Sequence, residues 1–166
     1  VEEGRASVNR ISLGWTPLYS AGMGKGLEVT KYLISKGADV NLGTEKYGAG
    51  RSTNGKWSLY GCTPLHLASD WGMSKIAIEL IDSGADLELA DSFGKTALLA
   101  AVNGGHEGMV KLLLKCGADI NVVNHQGETV VYLAISRDNG AMISTLINAG
   151  ADINRTPKTN GDTPIH

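Results

Sequence analysis

Two residues near the middle of the chain have the types and spacing for chemistry: Cys62 and His66, one helical turn apart, could form a thiol and base pair or the start of a metal site. No further base or nucleophile follows closely on His66. The other histidines, His106, His125 and His166, are scattered, and the second cysteine, Cys116, is far along the chain. Asp39, Asp86, Asp119 and Asp152 recur in fixed surroundings, each after Gly-Ala, so they fit short acceptors beside turns better than paired acid and base carboxylates. The Asn103-Gly104-Gly105 stretch follows no strand pattern, which removes a phosphate-cradling loop. One glycosylation sequon, Asn154-Arg155-Thr156, carries little weight by itself. The residues therefore predict no catalytic centre, no metal site and no cofactor.

What positions these residues is a repeat. Gly61-Cys62-Thr63-Pro64-Leu65-His66-Leu67-Ala68 opens a unit that ends at Gly84-Ala85-Asp86. Thr63 suits a helix cap and Pro64 the first helical position, while Gly84 suits the left-handed residue after a second helix. The same pattern runs from Gly14 to Gly37, from Gly94 to Gly117 and from Gly127 to Gly150, and the openings at Gly61, Gly94 and Gly127 recur every 33 residues. Each copy carries one apolar face per helix: Leu18, Ala21, Val29, Leu33 and Ile34; Leu65, Ala68, Ile76, Leu80 and Ile81; Leu98, Ala101, Val110, Leu113 and Leu114; Val131, Ala134, Ile143, Leu146 and Ile147. No single unit can bury its own face, so stacking of neighbours is required.

The 33-residue Thr-Pro-Leu-His opening with its Gly-Ala-Asp closing resembles the ankyrin-repeat family over nearly the full length. The resemblance implies an all-α fold, an α-solenoid of stacked helix-turn-helix units with β-hairpin-like fingers at one end. It also implies that His66 and His106 are structural, His66 hydrogen-bonding between adjacent openings. The expected division is one repeat domain over 1–166. Residues 1–13 are the tail of a preceding repeat, and 14–60 is a repeat with a long inserted finger at about 42–60. Complete repeats at 61–93, 94–126 and 127–160 follow, with a further opening at 161–166.

Some copies depart from the pattern. Tyr19 stands in place of the histidine in the first, with Gly22, Gly24 and Gly26 around its turn. The fourth has Val130 and Tyr132 for proline and histidine, and Arg137-Asp138-Asn139 at its inter-helix turn, which predicts fraying or a displaced turn. Between Gly37 and Gly61 the interval is 24 residues, against 10 in later units, and Gly, Ser, Asn, Lys46, Arg51 and Lys56 make it a turn-rich, solvated finger.

The chain has 166 residues, a net charge of -2 and 5% aromatic residues. That balance offers no basic face for nucleic acid, and no apolar run is long enough for a membrane span. Two sparse cysteines fit a reducing, intracellular setting, cytoplasmic or nuclear. A first residue other than Met and an interrupted last motif read as a piece of a longer protein.

In the family, the variable positions lie on the fingers just before the opening glycine, one residue after it, and at the end of the first helix. Trp15, Trp57, Tyr60, Trp71 and Phe93 all fall there, and Asp70, Lys95, Asn103, His125, Gln126, Glu128 and Arg137 continue the face with mixed charge. Exposed aromatics of this kind anchor interfaces. The expected function is non-catalytic binding of a protein or peptide on the concave face. Alternatives are a methyl-lysine reader built on the tryptophans and Asp70, a docking segment of a larger enzyme or channel, and a spacer whose inserted finger covers Trp15 and Trp71 with Trp57, Leu59 and Tyr60.

Overall fold

The computed structural model describes residues 7–45 and 60–155. Among them are eight helices: α1 (Pro17–Met23), α2 (Leu27–Ser35), α3 (Pro64–Asp70), α4 (Ser74–Asp82), α5 (Ala97–Gly104), α6 (Glu107–Lys115), α7 (Val130–Ser136) and α8 (Gly140–Asn148). They form four antiparallel pairs, α1 with α2 through α7 with α8. First helices stack on first helices and second helices on second helices, giving a two-layered solenoid. The expected finger at 42–60, including Trp57, lies largely outside the described residues, as does the opening at 161–166.

The local chemistry of each unit follows its residues. Thr16, Thr63 and Thr129 cap α1, α3 and α7, each accepting from the backbone N–H three residues on. Every second helix closes with the two-bond turn that a left-handed glycine permits. At Gly84, the Gly84 and Ala85 N–H groups reach the Ile81 and Leu80 carbonyls at 3.0 and 2.9 Å. Asp39, Asp86, Asp119 and Asp152 each accept the N–H two residues ahead at 2.9 Å, so the repeated carboxylates make turns. The fingers are built from such turns and two isolated antiparallel bridges, Ser12 with Trp15 and Val123 with Thr129; no named strand forms among the described residues.

The inter-helix turn of the last unit is not displaced. Asp138 takes the left-handed conformation, φ 53°, that Gly105 takes at 75° one unit earlier, and Lys25 does the same in the first unit at 53°. Asn139 then caps α8 by accepting from the Met142 N–H at 3.0 Å. The core runs unbroken through the stack, with Leu65, Leu80, Leu98, Val102, Leu113 and Leu146 each at most 1% exposed. Two expected core residues are exposed instead, Val29 at 53% and Ile147 at 46%. They belong to the outermost described pairs, while their inner counterparts Ile76 and Leu114 pack between neighbours.

The inserted segment leaves the stacking junction intact. Thr44 donates its N–H to the Cys62 carbonyl at 3.0 Å and accepts the Gly61 N–H at 2.7 Å. Asp91 and Asn124 make the same two bonds around Gly94 and Gly127. The chain thus departs and returns at a single point, and the unit beyond it begins in register.

A concave aromatic groove as candidate partner site

The first helices and the turns that precede them present one stripe to a shared groove. Trp15 stands just before the α1 cap, with Tyr19 and Met23 four apart on the helix, and Cys62, His66 and Asp70 hold the same places in the next unit. Lys95 and Asn103 continue the stripe beyond them. Spacing of four places Tyr19 with Met23, and His66 with Asp70, on one helical face, and stacking of units sets these rows side by side. Together with Trp71 and Leu67 they line a groove of about 290 Å³.

Each wall has a local cause. Trp15 and Tyr19 pack with ring centroids 6.2 Å apart and planes tilted by 44°. Trp71, the residue that ends α3, is 44% exposed. The neighbouring units carry Gly24 and Gly104 at its position, and Gly104 lies close against the Asp70 carbonyl and the His106 ring. The His106 Nε2 lies 2.9 Å from the Asp70 carbonyl and ties the end of α3 to the following unit.

The candidate reactive groups are committed to the scaffold. The Thr63 N–H donates to His66 Nδ1 at 3.1 Å, which leaves the proton on Nε2 to donate to the Lys95 carbonyl at 2.7 Å. Burial lowers the His66 pKa, opposed by that carbonyl and by Asp91. Burial pushes the Cys62 thiol up to about 12, with Asp91, whose Oδ2 lies 3.8 Å from the sulfur, adding to the shift. Tyr19 is likewise raised to about 12 by burial, then by Cys62 and Asp70. No group of three or more His, Cys, Asp or Glu among the described residues is placed to hold a metal ion.

The residues expected on the binding face divide into two sets. Trp15, Asp70, Trp71 and Lys95 meet at the groove. Tyr60, Phe93 and His125 lie instead on the linked turns: Ser92 donates to the Tyr60 carbonyl and His125 to the Phe93 carbonyl, both at 2.9 Å. Tyr60 is 45% exposed and His125 is exposed, whereas Phe93 is half-buried. Glu128 accepts from the Asn124 side chain at 2.6 Å within its own turn, and Arg137 donates to Asn103 at 2.8 Å on the exposed side. Trp57 lies outside the described residues. Sequence reasoning missed Tyr19, Met23 and Leu67; the four-residue spacing from Trp15 is the signal that pointed to the first two.

Comparison with known proteins identifies the fold family. The family model described as ankyrin repeats (3 copies) matches residues 2–91, 42–124 and 65–157. The chain is 33% identical over 100 residues to neurogenic locus notch homolog protein 1 of Xenopus tropicalis, a stretch that is 60% of this chain and 4% of that protein. It is 32% identical over 85 residues to Rabankyrin-5 of Mus musculus, covering 49% of this chain and 7% of that protein. Each relative is thus far longer than the part matched. Repeat period, capping chemistry, stacked helix pairs and family match agree, and the chain belongs to the ankyrin-repeat family.

Proposed function

We propose that this chain is a non-catalytic protein-interaction array that seats a protein or peptide segment along its concave face, with Trp71 and the Trp15–Tyr19 pair as anchors. The observation that carries the reading is the groove itself. In a chain with 5% aromatic residues, three rings from two adjacent units line one opening outside the core, and Trp71 keeps 44% of its surface exposed. Half-exposed Trp and Tyr are the side chains that dominate interface energies. The protonated state of Cys62 and the fully bonded ring of His66 argue against nucleophilic chemistry at the same place. Two free cysteines fit a reducing compartment.

Trp71→Ala tests the reading. Affinity capture with the wild-type chain and with this variant, each checked for native helicity, should show a bound protein that the variant loses at a cost of about 2 kcal/mol or more. Equal capture by a folded Trp71→Ala chain would remove the groove from the function.

A further inference from the structure

What the groove leaves unused identifies the ligand chemistry it accepts. Asp91 is saturated: its Oδ1 accepts the N–H groups of Phe93 and Lys95 at 2.8 and 2.9 Å, and the Cys62 sulfur lies against Oδ2. Asp70 is different. Its backbone carbonyl is held by His106, yet its carboxylate has no hydrogen bond or ion pair among the described residues. That carboxylate lines the groove with Trp15, Tyr19 and Trp71. A purely apolar ligand closing over it would strip its water and leave a charge unpaired, and an acidic ligand would add repulsion. The occupant must therefore bring a cation.

It must also bring N–H donors, because the lone pairs of Asp70 lose water when the groove is filled. A quaternary ammonium offers none. An ammonium offers three, but as a compact, strongly hydrated charge that must shed water to lie against an indole. A guanidinium meets both demands: it is planar, weakly hydrated, stacks on aromatic faces and presents a fork of donors to a carboxylate. On these grounds we infer that the groove is an arginine subsite, receiving the guanidinium of an arginine on the protein or peptide partner between the Trp71 ring and the Asp70 carboxylate. Lys95 also lines the groove, and its like charge opposes a bound cation there. The inference rests on the concave face being the binding face.

The test uses the full chain, isotope-labelled, with the Trp15 and Trp71 indole N–H signals followed by NMR. The probes are N-acetyl-arginine methylamide, its neutral citrulline isostere and its trimethyl-lysine counterpart. The arginine probe should shift both indoles saturably, and the citrulline probe should bind roughly tenfold more weakly or not at all. Asp70→Asn should weaken arginine binding by roughly tenfold with the amide spectrum otherwise unchanged, while Lys95→Met should tighten it. Equal binding of arginine and citrulline, tighter binding of trimethyl-lysine, or no shift at either indole would overturn the arginine assignment. A partner that is lost by Trp71→Ala but kept by Asp70→Asn, and not displaced by the arginine probe, would also overturn it while leaving the concave-face reading in place. A partner kept by Trp71→Ala would end both.

Discussion

Burial keeps both His66 and Cys62 uncharged, and each consequence can be measured. The folded-state pKa of His66 lies below its ordinary value of 6.5, so between the two values the unfolded chain binds more protons. Stability therefore rises with pH across that window, and is lost as pH falls from about 6.5 toward the folded value. Denaturant midpoints taken between about pH 7.5 and 5 should fall for the wild type and fall less for His66→Gln. The two cysteines should separate under alkylation. Cys116 is exposed, whereas Cys62 is buried with its thiol raised to about 12. In the native chain iodoacetamide should modify Cys116 and spare Cys62 until denaturant is added, as read by mass spectrometry; early labelling at Cys62 would contradict its burial. That His66 is a scaffold group was legible from its place in the repeat. That Tyr19, at the same place one unit earlier, becomes a groove wall was signalled only by its spacing from Trp15, and their packing settles it.

At the scale of the helix, identical motifs have unequal worth. Thr63 and Thr96 open consecutive units in the same phase. The Thr63 hydroxyl accepts from the His66 N–H at 3.4 Å and lies 2.8 Å from that ring's Nδ1. The Thr96 hydroxyl is buried with no partner, and α5 has no side-chain cap. Replacing each by its isostere valine should therefore give different answers. Thr63→Val should cost about 1–2 kcal/mol, since a cap and a histidine partner are lost together. Thr96→Val should be neutral or slightly stabilising, because it removes an unsatisfied polar atom from an apolar setting. Equal losses in urea titration would show that the Thr96 hydroxyl is satisfied in solution. The inter-helix turns teach the same point in reverse. Lys25 and Asp138 stand where inner units have glycine, yet both reach the left-handed region, each at φ 53° against 66° for Gly72 and 75° for Gly105.

For the whole molecule, the same repeat position carries different weight according to its neighbours. Val102 is 1% exposed between α3 and α7, and its counterpart one unit later, Ile135, is 59% exposed. Introducing lysine at Val102 buries an unpaired charge in the middle of the stack and should abolish the cooperative helical transition followed by circular dichroism. Lysine at Ile135 should change stability by no more than about 0.5 kcal/mol. A comparable loss at both positions would mean that the α7 face is covered in solution.

The sequence by itself determined the unit. Period, caps, closing glycines and turn-forming aspartates are local requirements of a short helical pair, so they are written in adjacent residues and can be read from them. It also marked Trp15 and Trp71 as misplaced for a core. Only the tertiary structure decided which of those marked residues act together. Trp15 and Tyr19 reach Asp70 and Trp71 because stacking sets one unit's stripe against the next across an insertion. Tyr60, Phe93 and Glu128, marked by the same sequence rule, are held on the turns instead. Asp91 is spent on the turn N–H groups two and four residues ahead, as Asn124 is one unit later, which is again local; that the Asp70 carboxylate is left over beside Trp15, Tyr19 and Trp71 is decided by stacking.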